Sequence, residues 1–136
     1  MSKQRVWMRV RPLSNEEKAA VSAACDRFIS EVLKPRFLPE IHPTPFNYPI
    51  DIIGKWRGNK YSFLQRYRSG FSENLGEEFS SAFTRLDHME ECVEEVRFNL
   101  MWHRHTGQWQ CLHRAVTLDE ALQLIETEPL LQPISS

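Results

Sequence analysis

The sequence predicts an α+β fold: a five-stranded antiparallel β-meander flanked by an N-terminal and a C-terminal helix. Two observations predict this architecture. A helix capping box stands near each end of the chain. Between the two boxes, segments of alternating apolar and polar residues are joined by short turns, as they are in antiparallel hairpins. Helices before and after a run of hairpins are typical of an α+β fold and not of a parallel α/β sheet.

Two helices are predicted, over residues 14–34 and 117–128. Each begins with a capping box, in which two side chains bind each other's backbone N–H groups: Ser14 with Glu17, and Thr117 with Glu120. In the first helix, apolar side chains recur at helical spacing and form one stripe: Val21, Cys25, Phe28 and Val32. Pro35 is expected to end this helix, because proline disfavours the helical conformation of the residue before it.

Two segments without regular structure flank the first helix. Residues 1–13 form a basic tail with a charge of +4. Residues 35–49 contain five prolines and are predicted as a semi-rigid, extended connector to the sheet. The connector is expected to lay four apolar side chains over the core: Phe37, Leu38, Ile41 and Phe46.

The sheet is predicted over residues 48–114, and a two-residue turn at Gly58-Asn59 joins its first two strands. Such a turn fixes the register and with it the two faces of the hairpin. One face is mostly apolar and pairs Trp56 with Tyr61, Gly54 with Phe63, Ile52 with Gln65, and Ile50 with Tyr67. The other face pairs Arg57 with Lys60, Lys55 with Ser62, Ile53 with Leu64, and Asp51 with Arg66. Gly54 is expected to leave room for the Phe63 ring.

The remaining strands are a third strand over residues 79–89 and a second hairpin over residues 95–115. A two-residue turn at Thr106-Gly107 is predicted for this hairpin. That turn pairs Trp102 with Cys111, Met101 with Leu112, His103 with Gln110, and Arg104 with Trp109. Cys111 would then point into the core, where a desolvated thiol is inert.

The composition is that of an ordinary globular protein. At 136 residues, with 41% hydrophobic and 26% charged residues, the chain is expected to form a single domain over residues 1–136. We expect neither a signal peptide nor a membrane-spanning segment, because no apolar run is long enough. The three cysteines contain no CxxC pair and are expected to be reduced thiols in a cytoplasmic protein.

No catalytic residue, metal or cofactor is predicted. His103 and His105 could supply two zinc ligands, but a zinc site needs three or four, and no further ligand stands at a suitable spacing. Nucleotide-binding and hydrolase motifs are absent. The acidic residues 90–95 lack the alternating Asp/Asn and the glycine of a calcium loop. The two histidines are therefore interpreted as part of a hairpin tip.

A basic surface is the candidate binding site. Five cations lie on one side of the first hairpin, and the tip of the second adds three residues: Lys55, Arg57, Lys60, Arg66 and Arg68, with His103, Arg104 and His105. Arg57 opposes Lys60, and facing like charges destabilise a sheet, so an anionic partner would stabilise this arrangement. Trp56 and Tyr61 border the same turn, and cations beside aromatic rings suit single-stranded nucleic acid. Alternatively, the cations only prevent aggregation, or they pair with residues 69–95, whose charge is -7.

An apolar patch on the otherwise polar face indicates a further partner. It comprises Ile53, Leu64, Met101 and Leu112. A patch of this kind needs cover, which a helix, the connector or a second copy of the chain in a homodimer could provide.

Three segments, residues 47–63, 98–109 and 117–133, resemble parts of a family of small uncharacterised bacterial proteins. The resemblance implies a bacterial cytosolic protein and brings no activity with it. The sequence as a whole predicts a non-enzymatic binding or interaction module with a protein partner or a second copy. The alternatives are a weak binder of nucleic acid or another polyanion through the basic hairpin, and an enzyme with a site at His103, Arg104 and His105.

Overall fold

A computed structural model describes residues 9–133 of the chain. The strands are β1 Asn47–Arg57, β2 Lys60–Ser69, β3 Glu78–His88, β4 Phe98–His103 and β5 Trp109–Val116. The helical elements are α1 Asn15–Phe28, a π-helical segment Ile29–Leu33, α2 Lys34–Phe37, α3 Leu118–Thr127, and two 3₁₀ turns at Ser72–Asn74 and Pro129–Leu131. The strands form one sheet in the order β1-β2-β3-β4-β5 with every pair antiparallel, which confirms the predicted meander between two helices.

The predicted capping boxes are present, but the first helix does not end at Pro35. Lys34 keeps helical angles (φ −63°, ψ −47°), and the helix continues to Phe37. A proline inside a helix lacks an N–H and crowds the carbonyl four residues earlier. The π-helical turn just before Pro35 widens the hydrogen-bond spacing, which accommodates the ring. In this segment Leu33 is fully buried, while Val32, which the predicted stripe included, is only partly buried.

Removing the first capping box is expected to lower the free energy of unfolding by about 1 kcal/mol. The Ser14 hydroxyl accepts a hydrogen bond from the Glu17 backbone N–H at 3.1 Å, and Ser14→Ala leaves that N–H without its partner. Urea unfolding followed by tryptophan fluorescence measures the loss. Ser30→Ala, at an exposed position farther along the same helix, is the control and should change stability by less than about 0.5 kcal/mol. Equal losses for the two variants would contradict a capping role.

Both helical layers cover the same face of the sheet. Helix α1 packs on β1, α3 packs on β4, and the two helices contact each other. The core between helices and sheet contains Phe63, Leu86, Leu100 and Ile125, each with no exposed surface. Side chains that alternate with these core residues therefore point away from the helices, and we call that side of the sheet the open face. Within residues 9–133, no helix is long and apolar enough to cross a membrane.

The predicted register of the first hairpin is confirmed except at its beginning. Trp56 faces Tyr61 and Gly54 faces Phe63, whereas a bulge after Pro49 takes Ile50 out of the predicted pairing. The turn is tight because Gly58 adopts a positive φ of 60°. Gly54 was predicted to leave room for the Phe63 ring, and that prediction is wrong. A Cβ at Gly54 would lie 1.8 Å from the Tyr61 hydroxyl, so the glycine makes room for the Tyr61 ring and not for that of Phe63.

The predicted register of the second hairpin is wrong by one residue. Met101, not Trp102, faces Cys111, and His103 faces Trp109. Three residues, His105, Thr106 and Gly107, form the loop, because Arg104 N–H bonds to the Gln108 carbonyl and Gly107 alone takes a positive φ, of 85°. The side chains at the start of β5 consequently exchange faces relative to the prediction.

This shift corrects two predictions, those for Cys111 and Leu112. Cys111 is exposed and not in the core. Leu112 packs on the helix-covered side, so the apolar patch of the open face keeps Ile53, Leu64 and Met101 only.

In the connector, Phe37 and Leu38 pack on the core as predicted, whereas Ile41 and Phe46 are 49% and 63% exposed. Residues 1–8 of the predicted basic tail lie outside the described residues.

Candidate functional site

The eight predicted binding residues fall into three groups. Three cations of the first hairpin line a cavity on the open face: Lys55, Arg57 and Lys60. Arg66 and Arg68 lie at the other end of the same hairpin. The residues of the second hairpin tip line a different cavity: His103, Arg104 and His105. The structure therefore does not bring all eight into one concavity.

The first cavity, which we call the basic groove, has a volume of about 270 Å³. It is lined by Lys55, Arg57, Lys60, Ser62, Leu64, Ala82, Arg85 and Trp109. Within residues 9–133, the first three of these make no ion pair. All three side chains are exposed. The groove is thus a concave surface with three cations whose charge no carboxylate of the described chain neutralises.

Two residues that line the groove, Arg85 and Trp109, were not predicted from the sequence. The Arg85 guanidinium binds Asp87 through two hydrogen bonds of 2.6 and 2.8 Å and lies 4.4 Å from the Trp109 ring centre. The His103 ring stacks on the same indole at 4.5 Å. His103 Nδ1 in turn lies 2.8 Å from the Ala82 carbonyl oxygen. These contacts fix the indole at the wall of the groove.

Arg66 and Arg68 have an intramolecular partner. Both guanidinium groups bind Glu78, at 2.9 and 3.0 Å, and their hydrogen bonds lower the pKa of the Glu78 carboxyl. Asp51, which the register places opposite Arg66, binds Lys34 at 2.8 Å instead. The pairing with residues 69–95 that the charge pattern suggested therefore exists for these two arginines, and it leaves the groove cations free.

The aromatic residues of the first hairpin are not on the basic side. Trp56 donates from Nε1 to the Ser22 hydroxyl of α1 at 2.9 Å, and Tyr61 is 1% exposed. The single aromatic residue that lines the groove is Trp109 of β5, which the one-residue register shift brings there. A two-residue turn at Thr106-Gly107 would require a positive φ at Thr106, which a β-branched residue disfavours. The threonine could therefore have indicated the longer loop.

The second cavity, which we call the tip cavity, has a volume of about 410 Å³. It is lined by Gln65, Tyr67, Ser81, Ala82, Phe83, Trp102, His103, Arg104, His105, Gly107, Pro129, Leu130 and Gln132. Arg104 lies over the Trp102 ring, 5.7 Å from its centre. Within residues 9–133, no three His, Cys, Asp or Glu side chains are close enough together to hold a metal ion.

The chain belongs to a family known as DUF3024, a domain of unknown function, whose model matches residues 13–131. The predicted resemblance to an uncharacterised family is confirmed to that extent. No curated protein and no solved structure matches the chain.

Proposed function

We propose that this protein is a non-enzymatic binding module that takes a phosphate-bearing polyanion, such as single-stranded nucleic acid, in the basic groove. One observation carries the proposal: Lys55, Arg57 and Lys60 line one concavity on the open face without an ion pair in the described chain. Phosphate neutralisation by Lys and Arg is the main source of affinity for nucleic acid. The resemblance to bacterial proteins and the free cysteines support a bacterial, cytoplasmic setting.

The facing cations of the groove, Arg57 and Lys60, repel each other, and a bound anion would remove that energetic cost. Arg57 and Lys60 are directly opposite each other across β1 and β2, and like charges in that position repel. The acid that faces Lys60 on β3, Asp87, could offset the charge, but it already binds Arg85. A row of phosphates would supply the missing negative charge.

The same charge argues against the predicted homodimer through this face. A two-fold dimer places the same surface of both copies in contact. The cations of one groove would then meet those of the other, although Ile53, Leu64 and Met101 offer some apolar area. We therefore propose a polyanion and not a second copy as the partner, and light scattering at low salt should give a monomer mass.

The test is binding of a fluorescein-labelled, single-stranded DNA, followed by anisotropy between about 50 and 200 mM salt. Each phosphate contact on a single strand contributes about 0.7 to the slope of log K against log salt. Replacing Lys55, Arg57 and Lys60 together by Gln should therefore reduce the slope by about 2. Heparin in place of DNA distinguishes a general polyanion binder from one that prefers nucleic acid.

The matched control is Arg27→Gln, on the helical layer that covers the opposite face. It removes one charge, as Lys55→Gln does, from an exposed side chain without an ion pair in the described chain. We expect Lys55→Gln to weaken binding and Arg27→Gln to leave it nearly unchanged. Absence of binding by the parent protein at low salt, or equal effects of the two substitutions, would overturn the proposal.

A further inference from the structure

The tip cavity forms where β3 and β4 separate. The pairing of these strands begins at Thr84 and Trp102, so the preceding half of β3 has no partner strand on that side. The hairpin loop and the C-terminal segment 129–132 close the space. The cavity is therefore distinct from the basic groove, with which it shares only the Ala82 position.

Arg104 lies in this cavity without a counter-charge. Its Nε is buried and has no hydrogen-bond partner within residues 9–133. No aspartate or glutamate lines the cavity, and Arg104 makes no ion pair in the described chain. A buried N–H donor without a partner is costly, because it has lost its hydration and gained no bond in exchange. The cavity thus holds a guanidinium ready to bind an anion.

A second polar group faces the cavity from the sheet. Gln65 lies on the core-facing side of β2 and is only 2% exposed. The Tyr67 hydroxyl donates to Gln65 Oε1 at 3.2 Å, which leaves the amide NH₂ of Gln65 as a donor for a ligand. The remaining wall includes Trp102, Phe83 and Leu130, and these supply apolar surface.

We propose that the tip cavity binds a small organic anion with a planar, apolar body and one carboxylate or phosphate group. The guanidinium of Arg104 matches either group with two parallel hydrogen bonds. The Gln65 amide adds a further donor, while Trp102 and Leu130 contact the body of the ligand. The cavity volume of about 410 Å³ lies within the usual range for small-molecule sites.

The experiment uses three probes of similar shape: benzoate, phenyl phosphate and the neutral benzamide. Binding is measured by calorimetry and by ¹⁵N NMR, in which the indole N–H of Trp102 and the amide of Gln65 report the location. We expect at least one of the two anions to bind at millimolar concentration, about tenfold more tightly than benzamide. Whichever anion binds more tightly identifies the group that the site takes, and either result supports the proposal.

Arg104→Gln should weaken anion binding about tenfold, while Arg27→Gln on the helical layer should leave it unchanged. Failure of both anions to bind the parent protein, equal affinity for benzamide, or full affinity after Arg104→Gln would overturn the proposal. The comparison of the anions with benzamide uses the parent protein only, so it tests the proposal even if the Arg104→Gln variant does not fold. Because DNA binding depends on the groove residues, failure here leaves the polyanion proposal standing, and the converse also holds.

Discussion

Gly54→Ala is expected to lower the free energy of unfolding by about 3 kcal/mol. The new methyl group would lie 1.8 Å from the Tyr61 hydroxyl oxygen and 2.4 Å from its ring. Tyr61 cannot move aside easily, because it is 1% exposed and packs edge-on against Trp56 and Phe63, each at 5.3 Å. Extra volume in such a core forces neighbours out of their preferred rotamers. Urea unfolding followed by circular dichroism measures the loss.

A double-mutant cycle shows whether the Tyr61 ring is the cause. Tyr61→Phe alone should be nearly neutral, because the Tyr61 hydroxyl is buried without a hydrogen-bond partner in the described chain. In the Tyr61→Phe background, Gly54→Ala should cost clearly less than in the parent, since the closest atom is gone. A loss below about 0.5 kcal/mol for Gly54→Ala in the parent would contradict the close packing.

The two hairpins show how far local sequence determines register. Gly58 adopts the positive φ that a two-residue turn requires, so the pairing of β1 with β2 follows from the turn. In the second hairpin, Gly107 suits both a two-residue turn and the last position of a three-residue loop. The choice depends on Thr106, whose branched side chain disfavours the positive φ of the shorter turn. The register therefore depended on a conformational penalty and not on the glycine alone.

The sequence predicted only the part of the candidate site whose geometry follows from the turn at Gly58. Lys55, Arg57 and Lys60 stand on the two strands next to Gly58, and their shared side follows from that turn. Arg85 reaches the groove through the pairing of β2 with β3, which no tight turn sets and which contains a bulge. Trp109 depends on the register of the second hairpin. Contacts that need two or more strand pairings are set by tertiary packing, which a reading of local sequence does not supply.

His88 is expected to make the protein less stable as the pH falls below about 6.5. Its side chain is 5% exposed, neither ring nitrogen has a hydrogen-bond partner in the described chain, and the ring packs edge-on against Phe98 at 5.9 Å. Burial disfavours the charged imidazolium and lowers the pKa of His88 in the folded state. Four charged groups around it have smaller, partly opposing effects: Glu90, Glu17, Arg11 and Glu91.

The direction of the effect follows from proton binding in the two states. Above the ordinary histidine pKa, His88 is neutral in both the folded and the unfolded chain and contributes no pH dependence. Below it, the unfolded chain takes up a proton that the folded chain excludes, so the free energy of unfolding falls by at most about 1.4 kcal/mol per pH unit. The fall ends once the pH drops below the lowered pKa of the folded state, where both states bind the proton.

Urea unfolding at several pH values between about 7.5 and 5 measures this fall, and His88→Leu should remove it because leucine does not titrate. His42→Leu is the control, since His42 is exposed and should leave the fall unchanged. The lowered pKa values of the Glu17, Glu78 and Glu120 carboxyls act at lower pH, because those groups lose their stabilising charge only on acidification below their ordinary value of 4.5. The pH range between the histidine and carboxyl titrations therefore separates the effect of His88 from that of these three carboxyls. An unchanged pH profile in His88→Leu would show that the buried imidazole is not the group that excludes the proton.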